Sequence, residues 1–207
     1  MYIRKATAED LPAVKSIYDG ARIFMQENGN GTQWVNGYPT PECSRLDVEA
    51  GILYVCAEGE AGTAERTSMK SAEISADPKR QKAAAMSGAE GRTEGAKRKK
   101  DRVLAVFVFS VGEDPTYRYI EDGAWLNDAP YGVIHRIAVS ESARGKGAAA
   151  FCMEWAFQQI GNLRIDTHEN NIPMQRLIQK CGFLRTGRIY AEDGTPRIAF
   201  QKLRKEA

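Results

Sequence analysis

The sequence is poor in histidine, in clustered cysteine and in long apolar runs, and each shortage removes a class of protein. No stretch of the 207 residues approaches the roughly 20 apolar residues that cross a bilayer. The opening Met-Tyr-Ile-Arg-Lys-Ala-Thr has no apolar leader core. The cysteines, Cys43, Cys56, Cys152 and Cys181, never form a C-x-x-C pair, and only two histidines could join them at a metal. No metal is therefore expected, and the thiols read as reduced and packed. The 29 basic and 27 acidic side chains leave a net charge of only +2, no excess that would draw the whole chain to nucleic acid or to a membrane. Hydrophobic residues make up 43%, enough for a core, and the length suits one domain or one domain with an appendage. The expectation is a soluble, cytoplasmic protein.

Residues 59–101 lack aromatics altogether and have only Met69, Ile74 and Met86 as large apolar side chains. Such a stretch cannot bury enough surface to offset the entropy of ordering it, so it reads as a disordered or weakly helical insertion in a single domain. Its end, Lys97-Arg-Lys-Lys100, is a basic cluster, but ten basic and seven acidic residues with no ring to stack on a base favour a solvated run over a nucleic-acid site.

The rest alternates clear signals. Residues 2–6 form a strand; Thr7, with Asp10 three residues on, opens a helix carrying Leu11, Val14, Ile17, Tyr18, Ala21 and Met25 on one stripe, ended by Gly29. A loop bearing Trp34 and Tyr38 leads to a short helix near 40–50, and Ile52–Cys56 and Val103–Phe109 are strands. A loop or extended hairpin over 113–130 holds Glu121, Asp122 and Trp125. Strand 132–139, helix 146–160, strand 163–167, helix 171–181 and strands 183–191 and 196–203 complete an order β-α-α-β-β-β-α-β-α-β-β. Three consecutive strands before a β-α-β unit predict a mixed sheet of α+β character.

Between strand 132–139 and the next helix lies Arg144-Gly-Lys-Gly-Ala-Ala149. A glycine-rich turn at a helix start presents free N–H groups at the positive end of the helix dipole, a place for phosphate, to which Arg144 and Lys146 add positive charge. The turn has neither Walker nor dinucleotide spacing. A plain strand-to-helix turn with solvated Arg144 and Lys146 is the simpler alternative.

Arg144-x-x-Gly147-x-Ala149 resembles the R/Q-x-x-G-x-G/A signature of the GNAT superfamily of N-acetyltransferases. Asn171-Ile-Pro-Met-Gln-Arg-Leu177-Ile-Gln-Lys-Cys-Gly182-Phe183 is similar to that superfamily's N-x-x-A-x-x-L-Y-x-x-x-G-F helix, in the same order, with Met174 and Ile178 departing from the alanine and tyrosine. The resemblance covers residues 2 to about 203. It implies the GNAT fold, whose two central strands splay, and acetyl-CoA as co-substrate. Backbone amides of Gly145, Lys146, Gly147, Ala148 and Ala149 would hold the pyrophosphate. The edge of Ile137, Ala138 and Val139 would pair with the pantetheine arm, and Asn171 would help shape that site, with His168 close by.

The activity implied is acetyl transfer to an amine, whether a small molecule or a protein. This needs a neutral amine, a polarised carbonyl and a proton for the departing thiolate. Strand alternation puts Val133, His135, Ile137 and Val139 on one face, and His135 is the candidate base, the alternative being a hydrogen-bonded core histidine. With Ile178 at the tyrosine position, Cys181 and Tyr190 are the substitutes as acid. Trp34, Tyr38, Glu121, Asp122 and Trp125 are candidates for holding a cationic amine, against the alternative of packed rings and solvated acids. A non-catalytic acyl-CoA-binding module is the competing function, and pairing of two copies into a homodimer through a sheet edge is left open.

Overall fold

The computed structural model describes residues 1–59 and 101–204. Most of the 59–101 insertion thus lies outside the described residues. Among these, seven strands form one sheet in the order β1-β2-β3-β4-β5-β7-β6. They are β1 (Tyr2–Lys5), β2 (Leu53–Glu58), β3 (Arg102–Val111), β4 (Gly132–Val139), β5 (Asn162–Thr167), β6 (Leu184–Tyr190) and β7 (Pro196–Leu203). The helices are α1 (Leu11–Glu27), α2 (Pro41–Glu49), α3 (Ala148–Ile160) and α4 (Ile172–Lys180). The element order is the expected one. Every strand pair is antiparallel except β4 with β5. No described helix is long and apolar enough to cross a membrane.

Local chemistry explains the boundaries. The Asp10 carboxylate accepts the Thr7 N–H at 2.8 Å and a two-pronged Arg4 guanidinium at 2.7 and 2.8 Å, which fixes the entry into α1. The Thr40 hydroxyl accepts the Cys43 N–H at 3.1 Å ahead of Pro41, a cap that starts α2. Asn171 caps α4 in the same way, accepting from Met174 N–H at 3.3 Å.

Alternation along β3 divides the core. Val106 and Val108 face Val14, Ile17 and Tyr18 of α1, while Phe107 and Phe109 face Cys152, Met153, Ala156 and Phe157 of α3. Ile178 of α4 is fully buried in the second group, with Leu163, Ile165 and Phe183. The sheet is thus covered on both faces, with α1 on one and α3 and α4 on the other. Each such apolar side chain contributes about 1.5–3 kcal/mol by leaving water.

The connection between β3 and β4 is held to the far end of the sheet by polar contacts. Gln201, fully buried, accepts the Leu126 N–H at 2.7 Å and donates to Asn162 at 2.8 Å. The Arg164 guanidinium donates to the Asn127 carbonyl at 2.9 Å and lies over the Trp125 and Tyr131 rings. Farther along, Glu121 and Arg188 exchange backbone hydrogen bonds of 2.9 and 2.8 Å. A Cβ at Gly187 would stand 2.6 Å from the Glu121 carbonyl, so only glycine permits this approach.

Glu58 and Arg102 are direct antiparallel partners with their side chains paired at 2.5 Å, so the two ends of the insertion are adjacent. Replacing residues 60–100 by a short turn should leave acetyl-CoA affinity unchanged in a titration by calorimetry. Loss of binding or of folding in that variant would contradict the reading of this segment as an appendage.

Candidate active site

The parallel ladder between β4 and β5 consists of Gly132–Leu163, Val133–Arg164 and Ile134–Ile165. Beyond it β4 stays with β3 as far as Val139, and β5 stays with β7 as far as Thr167. The two strands therefore part, and their separated ends line a cavity of about 1160 Å³.

A bulge shapes the β4 wall. Ala138 pairs with Val106 and His135 with Val108, so Arg136 and Ile137 together oppose Phe107. Arg136 adopts a φ of +50°, costly for a side-chain-bearing residue. It is held by Nη2, which donates to both Asp47 oxygens of α2 at 2.9 and 2.8 Å, and by Nη1, which donates to the Tyr38 hydroxyl at 3.0 Å. The extra residue corrects the expected alternation. Ala138 packs in the α1 core, whereas Ile134, Ile137 and Val139 pack in the α3 core. His135 thus lies on the opposite face from Ile137 and Val139.

At the glycine turn, Gly145 and Gly147 have φ of +75° and +84°, with open space where a Cβ would be. Among the described residues neither donates its N–H to a backbone acceptor, and the first N–H groups of α3, from Ala148 and Ala149, have no intrahelical partner. Lys146 differs: its N–H is bonded to the Ala143 carbonyl at 3.2 Å, and its exposed side chain is not part of the cavity wall. Arg144 turns toward α1, donating to the Gly20 carbonyl at 2.8 Å with its guanidinium over Phe24. Lys180, which the sequence reading did not single out, joins this wall. Free amides, left-handed glycines and an unpaired β4 edge together fit a pyrophosphate followed by an extended amide-bearing arm.

Across the gap, His135 Nε2 lies 2.8 Å from Asp114 Oδ2, and Nδ1 lies 3.9 Å from Asp166 Oδ1. An ionised Asp114 only accepts, so Nε2 carries a proton, and in the neutral tautomer Nδ1 is the nitrogen with the free lone pair. Burial raises the Asp114 carboxyl, but hydrogen bonds from His135 and Thr116 outweigh it and hold the group at about 2. Asp166 accepts from the Tyr117 hydroxyl at 2.7 Å, and burial pushes that phenol well above its ordinary value, so it stays a donor. Asp114 and Asp166 were missed in the sequence. Asp114-Pro115-Thr116 does carry a turn signal, since Asp114 accepts the Thr116 N–H at 2.9 Å. The contact with His135 depends on the β3–β4 register and could not be read from it.

The other candidates divide. Trp34, Tyr38, Asn171 and Cys181 line the cavity. Asn171 also donates to Gln33 at 3.0 Å, and burial raises the Cys181 thiol. Glu121, Asp122, Trp125 and Tyr190 lie outside the wall. The Glu121 carboxylate accepts from Tyr190, and Asp122 pairs with Arg188 at 3.2 Å. Trp125 packs on Tyr117 and donates to its carbonyl at 2.9 Å. His168 is also off the wall: its Nδ1 accepts the Asn170 N–H at 3.1 Å, and burial, then Arg197, lowers its pKa. Ile178 faces the core and not the cavity.

The chain belongs to the GNAT acetyltransferase family: the sequence model of the Acetyltransferase (GNAT) family matches residues 76–183. A streptothricin acetyltransferase of Escherichia coli is 41% identical over 59 residues, 26% of this chain and 34% of that protein. The match thus spans about a third of that relative's length. Among solved structures, a GNAT family acetyltransferase from Streptococcus agalactiae 2603 superposes with a TM-score of 0.71 at 22% identity, covering 99% of this chain and 96% of that one. YncA of Salmonella typhimurium, solved with its cofactor acetyl-CoA, gives 0.51 at 13% identity, covering 100% and 95%. At these identities the likeness is one of fold.

The depressed Asp114 carboxyl makes a pH prediction. Its folded value of about 2 lies below the ordinary 3.8, so its contribution is complete above the ordinary value and is lost as pH falls toward 2. Asp114→Asn should be roughly 1–2 kcal/mol less stable than wild type at neutral pH, with allowance for partial exposure. Denaturant midpoints of the two should converge in acid. A constant difference down to pH 2 would show that the carboxylate charge is not responsible.

Proposed function

We propose that this protein transfers the acetyl group of acetyl-CoA to a cationic amine by direct attack on the thioester, with His135 as the base. The observation that carries this reading is the placement of His135 at the mouth of the β4–β5 gap, with Nε2 committed to Asp114 and Nδ1 turned toward Asp166. An alkylammonium near pKa 10 must lose a proton before it can attack. Its N–H groups could be shared between Nδ1 and the Asp166 carboxylate, which would collect the cation and direct one proton to the imidazole. Trp34 and Tyr38 would cover the rest of the acceptor. Asp166, which lines the cavity with Arg197 3.9 Å from its other oxygen, is then the anionic anchor, because Glu121 and Asp122 lie outside the wall.

The N–H groups of Gly145, Gly147, Ala148 and Ala149 would hold the pyrophosphate, and the free edge of β4 would pair with the pantetheine arm. Lys180 adds positive charge to the same wall. The 59-residue likeness to a streptothricin acetyltransferase supports an amine acceptor and makes streptothricin one member of the first panel to test.

The test is thiol release from acetyl-CoA against a panel of amines. His135→Gln should lower kcat about 10²- to 10⁴-fold, the range for a general base, with acetyl-CoA affinity unchanged. Unchanged turnover would remove His135 from the chemistry. Acetyl-CoA binding by the wild type with no release against any amine would support a non-catalytic acyl-CoA-binding module instead.

A further inference from the structure

The reaction proposed above leaves a negative charge on sulfur, and the helix position where the superfamily carries its tyrosine is here Ile178, buried in the core. A different polar group stands on the cavity wall. Thr167, the last residue of β5, is 1% exposed, and its hydroxyl has no hydrogen-bond partner. A buried hydroxyl without a partner is costly, and a protein keeps one where a ligand can satisfy it. Thr167 also lies two residues past Ile165, where the β4–β5 ladder ends, and it lines the cavity.

Direction follows from the sheet. Alternation along β5 puts Thr167 on the face of Leu163 and Ile165, which pack against the α3 and α4 side. Ile137 and Val139 of β4 join that face because of the bulge, and Met174 and Leu177 of α4 line the cavity there. Asp166, one residue earlier, belongs to the other face, where Tyr117 and His135 meet it. The glycine turn leads into α3, so a CoA arm bound there enters from the Thr167 face. The amine arrives on the His135 face. A carbonyl held in the gap would then have nitrogen on one side of the sheet and sulfur on the other.

We infer that the Thr167 hydroxyl is a catalytic group that donates a hydrogen bond to the sulfur of acetyl-CoA as it leaves. This assignment rests on the acetyl-transfer reading. In the step, the amine, its first proton already passed through His135 to solvent, bonds through nitrogen to the carbonyl carbon, and the second proton passes from that nitrogen to His135 Nδ1. The C–S bond breaks and its electron pair goes to sulfur. Thr167 keeps its proton throughout, and the thiolate takes one from solvent on release. A donor aimed at developing charge in a water-poor site accelerates by being in place beforehand.

Thr167→Val preserves the shape and removes the donor; Thr167→Ser restores it. The valine variant should lose kcat roughly ten- to a hundredfold with acetyl-CoA affinity unchanged, and the serine variant should recover most of it. A second reading uses the product. Ultraviolet absorbance of thiolate, followed against pH with CoA bound, should show its thiol ionising at lower pH in wild type and Thr167→Ser than in Thr167→Val, since a donor to the charged form favours it. Equal titration in all three would overturn the assignment, whatever happens to turnover, and so would a valine variant with wild-type kcat. An inactive wild type that still shows the titration difference would sink the acetyl-transfer reading while leaving Thr167 at the sulfur.

Discussion

The parallel pairing of β4 with β5 stops at Ile134 and Ile165, and the rest of the site follows from where it stops. Each strand keeps its other neighbour, so neither loses its place in the sheet, yet the two backbones diverge. Sheet strands normally satisfy both edges. Here the free edge of β4 and the end of β5 face a cavity. An extended ligand arm with its own amides is the complementary partner for such an edge.

The bulge at Arg136 and Ile137 sets which groups face which side. Without it His135 and Ile137 would share a face. With it, the apolar pair Ile137 and Val139 faces α3, and His135 faces the loop that carries Asp114. The strained backbone of Arg136 is fastened by Asp47 and Tyr38, so α2 and the loop before it hold the conformation of β4. An ion pair to Asp47 outside the cavity and a hydrogen bond to Tyr38 on its wall thus hold this part of β4 in one conformation.

Much of this was legible in the sequence because the signals were local. Helical spacing in α1, β-branched runs in β3 and β4, and glycine after α3 and α4 each express a rule that acts within a few residues. The glycine turn was legible for the same reason. The bulge was not: Arg136 is neither glycine nor asparagine, and alternation carries no mark of one inserted residue. Asp114 and His135 are 21 residues apart and meet through strand register. Arg144 reads as charge beside the glycine turn, and its bond to the Gly20 carbonyl, 124 residues away, carries no local signal. Glu121 and Asp122 read as acceptor ligands because nothing nearby reveals that Glu121 bridges to β6.

The proposed chemistry requires the thioester in the β4–β5 gap with base and leaving group on opposite faces of the sheet. A crystal structure with acetyl-CoA bound tests it most directly. Pyrophosphate oxygens are expected on the N–H groups of Gly145 and Gly147, the carbonyl between β4 and β5, sulfur beside Thr167, and His135 Nδ1 facing the carbonyl from the other side. A thioester lying wholly on the His135 face, or a pyrophosphate away from the glycine turn, would contradict it.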